Sequence, residues 1–255
     1  VGGFVKKDKL WWYGALRRTN TGQRYPTLVD DVQETWVPVG TAKVTYNLNT
    51  AQKVMGFYQH ANKNQPDYLG AIQIAGGRAT PAIMHADTVW YSRFPTDVWK
   101  VEYNAVLSNS VLLEVRAGAY KSLWNRVGKS SAARIEDVGN NFVSGGVYGI
   151  DFDRHRPQVN GAVSYAKNGW GGSHNLKFGG EIMRDIVKNP FTGFASATNA
   201  LSLFNNGSPT QVYIYQSPSN SQSGVLSQAL YANDTWHAGK RLTVNLGLRW
   251  DRQQA

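Results

Sequence analysis

Leu242-Thr243-Val244-Asn245-Leu246-Gly247-Leu248-Arg249-Trp250-Asp251 alternates strictly between apolar and polar residues. A β-strand points successive side chains to opposite faces, so this stretch predicts a strand with one greasy face and one wet face. The same period recurs upstream. Ala42, Val44, Tyr46 and Leu48 alternate with Thr41, Lys43, Thr45 and Asn47, and Trp99, Val101, Tyr103, Ala105 and Leu107 alternate with Lys100, Glu102 and Asn104. Val111, Leu113, Val115, Ala117 and Ala119 oppose Glu114, Arg116, Gly118 and Tyr120; Leu176, Phe178, Gly180 and Ile182 oppose Asn175, Lys177, Gly179 and Glu181. Windows 9–19, 52–62, 154–168 and 224–238 read as strands with less regular alternation, giving about nine strands and almost no helix.

The connections alternate between short and long. Asn49-Thr50-Ala51, Ser108-Asn109, Asn168-Gly169-Trp170-Gly171-Gly172 and His237-Ala238-Gly239 are compact turn sequences, whereas 20–38, 63–93, 124–153 and 188–223 are long polar segments. Short turns at one end and long loops at the other are the plan of a membrane-spanning antiparallel β-barrel, with periplasmic turns and extracellular loops. A soluble sandwich also alternates, but its connections should be short at both ends. Mid-strand charges at Lys43, Lys100, Glu102, Glu114, Arg116, Lys177, Glu181 and Arg249 suit a hydrated interior. Trp11, Trp12, Trp99, Trp124, Trp170, Trp236 and Trp250 lie near strand ends, where interfacial aromatic girdles are expected. On this assignment Leu246 meets lipid and Asn245 the interior, so arginine should be tolerated only at the latter.

Composition removes other classes. With 9 Trp and 13 Tyr in 255 residues, 17% charged residues and a mean hydropathy of -0.41, the chain is unlike an ordinary soluble enzyme. No window approaches the roughly 20 apolar residues of a spanning helix. There is no cysteine, hence no disulfide or thiolate chemistry. The net charge of +10 is spread along the chain rather than gathered, so a nucleic-acid partner is not expected. Val1-Gly2-Gly3-Phe4 leads straight into Lys6-Lys7-Asp8-Lys9 with no apolar run of a signal peptide, so either the mature chain starts here or the start is missing. An odd strand count leaves an open edge that lipid does not tolerate, so residues 1–255 are expected to be an internal segment of a longer barrel.

Three stretches carry a family resemblance. Gly2-Gly3-Phe4-Val5-Lys6-Lys7-Asp8-Lys9-Leu10-Trp11-Trp12-Tyr13 resembles the opening of the barrel in TonB-dependent receptors of the Oar-like group, with Phe4 where proline is usual. His174-Asn175-Leu176-Lys177-Phe178-Gly179-Gly180-Glu181 is similar to a strand of that group. Leu230-Tyr231-Ala232-Asn233-Asp234-Thr235-Trp236, followed by 242–251, resembles one of its hairpins. The resemblance implies the wall of a barrel of about 22 strands around a plug. It also implies a TonB complex reached through plug residues outside 1–255, outer-membrane lipid around the wall, an extracellular substrate, and an outer-membrane location in a Gram-negative-type bacterium.

Catalytic and cofactor signatures are missing: there is no G-x-S-x-G elbow, P-loop, H-E-x-x-H or dinucleotide fingerprint. No catalytic, cofactor or metal residue is therefore expected, and the chain is not read as an enzyme. Asp151-Phe152-Asp153-Arg154-His155-Arg156 is the densest charged cluster. It reads as a rim loop entering a strand, with Arg154 and Arg156 offsetting the aspartates, rather than as a metal site. Asn205-Asn206-Gly207-Ser208-Pro209 and Ser217-Pro218-Ser219-Asn220-Ser221 read as loop chemistry. Ligand recognition, if it occurs, falls to aromatics on or beside the long loops, with no single residue singled out: Tyr25, Trp90, Tyr91, Phe94, Trp124, Phe142, Tyr148, Phe191 and Phe194. An outer-membrane barrel for adhesion, secretion or surface assembly, and a soluble carbohydrate-binding β-protein, are the alternatives.

Overall fold

The computed structural model describes residues 1–24, 32–69, 83–194 and 198–255. Ten strands form one antiparallel sheet: β1 (Gly2–Lys6), β2 (Leu10–Arg24), β3 (Val32–Asn47), β4 (Gln52–Tyr68), β6 (Trp90–Ser108), β7 (Val111–Gly128), β10 (Tyr148–Asn168), β11 (Ser173–Phe194), β14 (Ser219–Ala238) and β15 (Leu242–Gln254). Each pairs with its neighbour in that order, and β1 and β15 form the two open edges. A second sheet has the order β13 (Ser208–Ile214), β12 (Ala200–Asn205), β8 (Arg134–Asp137), β9 (Phe142–Ser144), β5 (Ile83–Met84). No helix of the described residues is long and apolar enough to cross a membrane.

Register joins the predicted faces into one surface. Residues directly opposite in an antiparallel pair share a face. Val101 lies opposite Ala117, Tyr103 opposite Val115 and Ala105 opposite Leu113; Val115 then meets Gly161, and Val163 meets Phe178. Phe178 meets Ala232, which meets Leu248. The apolar band so formed runs for about eight residues along a strand, roughly 20 Å of bilayer once strand tilt is allowed for. Because the band is the surface that lipid must wet, the opposite, charged face is the interior.

That interior face carries a ladder of ion pairs. Lys100 pairs with Glu102 at 3.3 Å, Arg116 with Glu102 at 3.4 Å and with Glu114 at 3.0 Å, and Lys177 with Glu114 at 3.2 Å. Lys177 and Glu114 sit on β11 and β7, with β10 between them. The buried Ala162, opposite both Glu114 and Gly179, is small enough for the lysine to reach across. Arg249 bridges to Glu181 in the same way, over the buried Ala229 of β14.

Three expectations change. There are ten strands in the wall, not nine, because β1 pairs with the start of β2 through Gly2 opposite Tyr13 and Phe4 opposite Trp11. Its Gly-Gly-Phe-Val-Lys sequence has no alternation to announce it. The argument from an odd count therefore falls. Second, the strands are much longer than a bilayer needs: β10 has 21 residues and β11 has 22. Much of the predicted loops at 124–153 and 188–223 is strand, with both faces wet above the apolar band, so the period of two disappears while the backbone ladder continues. Third, Trp12, Trp99, Trp236 and Trp250 face outward as girdle residues, but Trp11 and Trp124 lie on the interior parity. Leu246 does face outward, yet it sits directly opposite Asp234, which would partly neutralise an arginine placed there.

Candidate recognition site at the extracellular mouth

Above the apolar band, the interior face changes from charged to aromatic. Trp124 and Arg126 on β7 stand on the same parity as Glu114 and Arg116, and Phe152 on β10 lies opposite Trp124. The rings of Trp124 and Phe152 stack with centroids 5.6 Å apart, and Phe94 meets Trp124 edge-on at 6.3 Å. The Arg126 guanidinium lies 4.4 Å from the Trp124 ring centre, 5.2 Å from that of Trp90 and 5.8 Å from that of Phe152. A cation between ring faces is held by the ring quadrupoles. Its Nε is buried without a hydrogen-bond partner among the described residues.

Arg126 joins this group to a second. Trp90 stacks on Tyr68 at 6.0 Å and meets Tyr148 edge-on at 6.3 Å; Tyr148 contacts Phe191 and Phe194, and both contact Tyr215. The indoles are fixed at their polar ends: Trp90 Nε1 donates to Tyr148 O and Trp124 Nε1 to Ser92 Oγ, each at 3.0 Å. Trp90 also packs with Leu69, Val89 and Val147, and Phe194 with Leu201 and Leu203. Burial pushes the Tyr215 phenol above its ordinary pKa.

Of the aromatics singled out from sequence, Trp90, Phe94, Trp124, Tyr148, Phe191 and Phe194 come together in one network. Tyr91 does not, being exposed on the opposite parity; Phe142 lies in the second sheet, and Tyr25 lies outside the described residues. Sequence reasoning missed Tyr68, Arg126, Phe152 and Tyr215. The spacing of Trp124 and Arg126 at i and i+2 was a usable signal, once that stretch is known to be extended.

The second sheet joins pieces of three loops and packs on this region through Leu201 and Leu203. β12 pairs in parallel with β8, and β5 in parallel with β9, while β8 and β9, like β12 and β13, are antiparallel. Arg134 and Glu136 form a buried ion pair at 2.9 Å, their side chains only 2% and 1% exposed. Burial pulls the Arg134 guanidinium below its usual range, and Glu136 opposes that shift. The Asp137 carboxylate accepts from Asn140 N, Asn140 Nδ2, Asn206 N and Gly207 N at 2.7–3.0 Å, which lowers its pKa, the Asn140 amide contributing most. Asn206 and Gly207, at φ 52° and 81°, are the two central residues of the β12–β13 hairpin. Positive φ at both positions is the type I′ turn that Asn-Gly favours. The 205–209 stretch is thus a hairpin tip caught by a carboxylate.

The 151–156 cluster is strand throughout rather than a loop entering one, since β10 begins at Tyr148. Its arginines turn to β11: Arg156 reaches Asp185 at 2.5 Å and Arg154 reaches it at 3.6 Å. Asp151 instead accepts from Asn125 at 2.6 Å. Among the described residues no three His, Asp or Glu side chains gather as a metal site.

A ten-stranded antiparallel sheet with a lipid-facing band, a charged inner face, tight turns at one end and loops joined by a second sheet at the other is the wall of an outer-membrane β-barrel. The chain belongs to the outer membrane beta barrel domain family, whose model matches residues 20–255. That family places it in the outer membrane of Gram-negative bacteria. The fold is shared with solved outer-membrane transporters and receptors. It is similar to the outer membrane transporter YddB from Escherichia coli (TM-score 0.71, 12% identity, covering 99% of this chain and 33% of that one). It is also similar to the siderophore receptor PiuA from Acinetobacter baumannii (0.63, 12%, 99% and 39%) and the ferric yersiniabactin uptake receptor FyuA from Yersinia pestis (0.64, 14%, 99% and 35%). The chain therefore spans between a third and two fifths of the length of these structures. No curated protein matches it.

Proposed function

We propose that residues 1–255 are part of the barrel domain of a longer TonB-dependent transporter of the Oar-like group, whose plug and further strands lie elsewhere in the protein. The three sequence stretches that resemble that group support the subgroup. Uptake is supported by the neighbours named above, a transporter and two receptors. In this reading the chain performs no catalysis. It supplies the wall, and the interior mouth makes first contact with an extracellular substrate, before a plug coupled to the TonB complex admits it.

The observation that carries this reading is the inward-facing mouth: stacked rings around the Arg126 guanidinium, joined through Tyr148 and Phe194 to Leu201 and Leu203 of the loop sheet. Aromatic faces and a planar guanidinium are groups that stack on a planar or sugar-like ligand. The test is growth of a deletion strain, complemented by the intact gene, across a panel of limiting iron, glycan, peptide and cobalamin sources, with and without a functional TonB. A growth advantage that vanishes without TonB is the expected result. An advantage that survives loss of TonB would favour a barrel used for adhesion, secretion or surface assembly.

A further inference from the structure

We propose that the outward face of the wall binds a phosphate-bearing acyl lipid of the outer leaflet, in a groove over Gly161 and Gly180 capped by Arg184 and Arg252. The inference rests on the outer-membrane location and is independent of the transport reading.

The groove follows from two missing side chains. Gly161 and Gly180 lie directly opposite one another on β10 and β11, in the middle of the apolar band. Val159 and Ile182 form the next pair toward the outside, while Leu230 and Trp250, paired on β14 and β15, make the flanking wall. Together these six residues line a depression of about 430 Å³ on the lipid-facing surface, with Gln228 at its upper rim. An acyl chain fits such a trough through dispersion and excluded lipid disorder, and water does not compete for it.

Charge sits immediately above. The first outward residue beyond the band is Arg184 on β11, two positions past Ile182, and Arg252 on β15, two past Trp250. Gln228 lies between the two strands, opposite both Ile182 and Arg252. Both arginines are exposed, and neither has an ion-pair partner among the described residues. They are two strand spacings apart, roughly 10 Å, and offset along the strands. The outward face above the band also carries Arg18, Lys121, His155 and Lys188, and its acids there include Asp97, held by Tyr58 at 2.5 Å and His60 at 2.8 Å, and Asp153, opposite Lys188. Guanidinium forks match phosphate oxygens bidentately, and at the headgroup boundary such pairs are poorly screened. A headgroup without phosphate would leave both arginines without an anionic partner.

The experiment titrates the intact outer-membrane protein, in maltoside micelles, with bis-phosphorylated lipid A, with the same lipid dephosphorylated, and with inorganic phosphate alone, reading bound lipid by native mass spectrometry. Phosphorylated lipid should bind the native protein well above its dephosphorylated counterpart. Arg184→Gln with Arg252→Gln should weaken it by about tenfold per arginine, and Arg184→Lys with Arg252→Lys should restore most of the affinity. Gly161→Ala, whose new Cβ would meet nothing closer than 3.5 Å, fits the wall and fills part of the groove. It should cost about threefold in affinity. Equal binding of the two lipids by the native protein would overturn the proposal, whatever the variants do. Displacement of the lipid by millimolar inorganic phosphate would also overturn it, by reducing the site to an anion patch with no groove.

Discussion

The wall and the loop sheet are both β-structure, yet they are held together in opposite ways. In the wall, β6 and β7 separate two solvents, so Val101, Tyr103 and Ala105 face one way and Lys100, Glu102 and Asn104 the other. The Glu102 and Arg116 charges stay partly open to the interior. In the loop sheet, Arg134 and Glu136 are sealed from solvent, and three separate loops are joined by strands as short as two residues. Alternation is thus the mark of an interface between lipid and water, not of β-structure as such. Where a sheet lies wholly on one side of that interface, polar anchors replace the pattern.

The sharpest way to break this contrast is at the buried pair. Glu136→Ala leaves Arg134 charged and sealed, which should cost about 3–5 kcal/mol of loop-sheet stability. Limited proteolysis should then cut within 129–147 and 198–218 while the wall keeps its heat-resistant electrophoretic mobility. If the wall loses that mobility too, the two regions form one cooperative unit and the contrast fails. Replacing both partners by apolar residues of similar size should cost less than Glu136→Ala.

Next in size is the membrane face. Leu248 is 81% exposed on the outward side, opposite Ala232 and away from the compensating Asp234. Leu248→Arg should cost about 2–4 kcal/mol if it sits near the bilayer midplane, whereas Asn245→Arg, on the interior, should be tolerated. The readout is the fraction folded into lipid vesicles. Equal losses would show that the two faces of β15 do not see different solvents.

What the sequence disclosed follows the same division. The faces of 99–107, 111–119 and 242–251 were legible because lipid enforces a period of two. The upper halves of β10 and β11 were not, because with water on both sides Asp151-Phe152-Asp153-Arg154 carries no period. The short parallel pairings of β12 with β8 and of β5 with β9 were invisible for another reason: they are non-local, joining residues such as Leu203 and Glu136 that no window contains. The mouth was half legible. Aromatic side chains marked it, but Arg126 gains its place only from the register that brings Trp90, Trp124 and Phe152 around it.

The hairpin capture by Asp137 gives a pH handle on the loop sheet alone. Its carboxyl titrates below the ordinary value when folded, so the stabilisation is fully present above the ordinary pKa of about 3.9 and is lost as pH falls through the lowered one. Amide exchange at Asn206 and Gly207 should therefore be protected at neutral pH and rise only in strong acid. In Asp137→Asn the protection should be weak and independent of pH across that window. A native profile that loosens already near neutral pH would assign the effect to some other group.

The smallest effect is expected where charges are most numerous. Lys177 reaches Glu114 across Ala162, but its side chain is 42% exposed to the interior. Two partly hydrated charges gain little from meeting, since each gives up water and side-chain freedom, and such pairs are worth about 0–1 kcal/mol. Lys177→Gln should leave the unfolding midpoint of the wall almost unchanged, in urea with the protein in vesicles, and the change should shrink further with added salt. Its size relative to Glu136→Ala measures how wet the barrel interior is. A loss approaching that of the sealed pair would mean that something covers Glu114 and Lys177 in the assembled protein, and that the inner face is an interface rather than a hydrated wall.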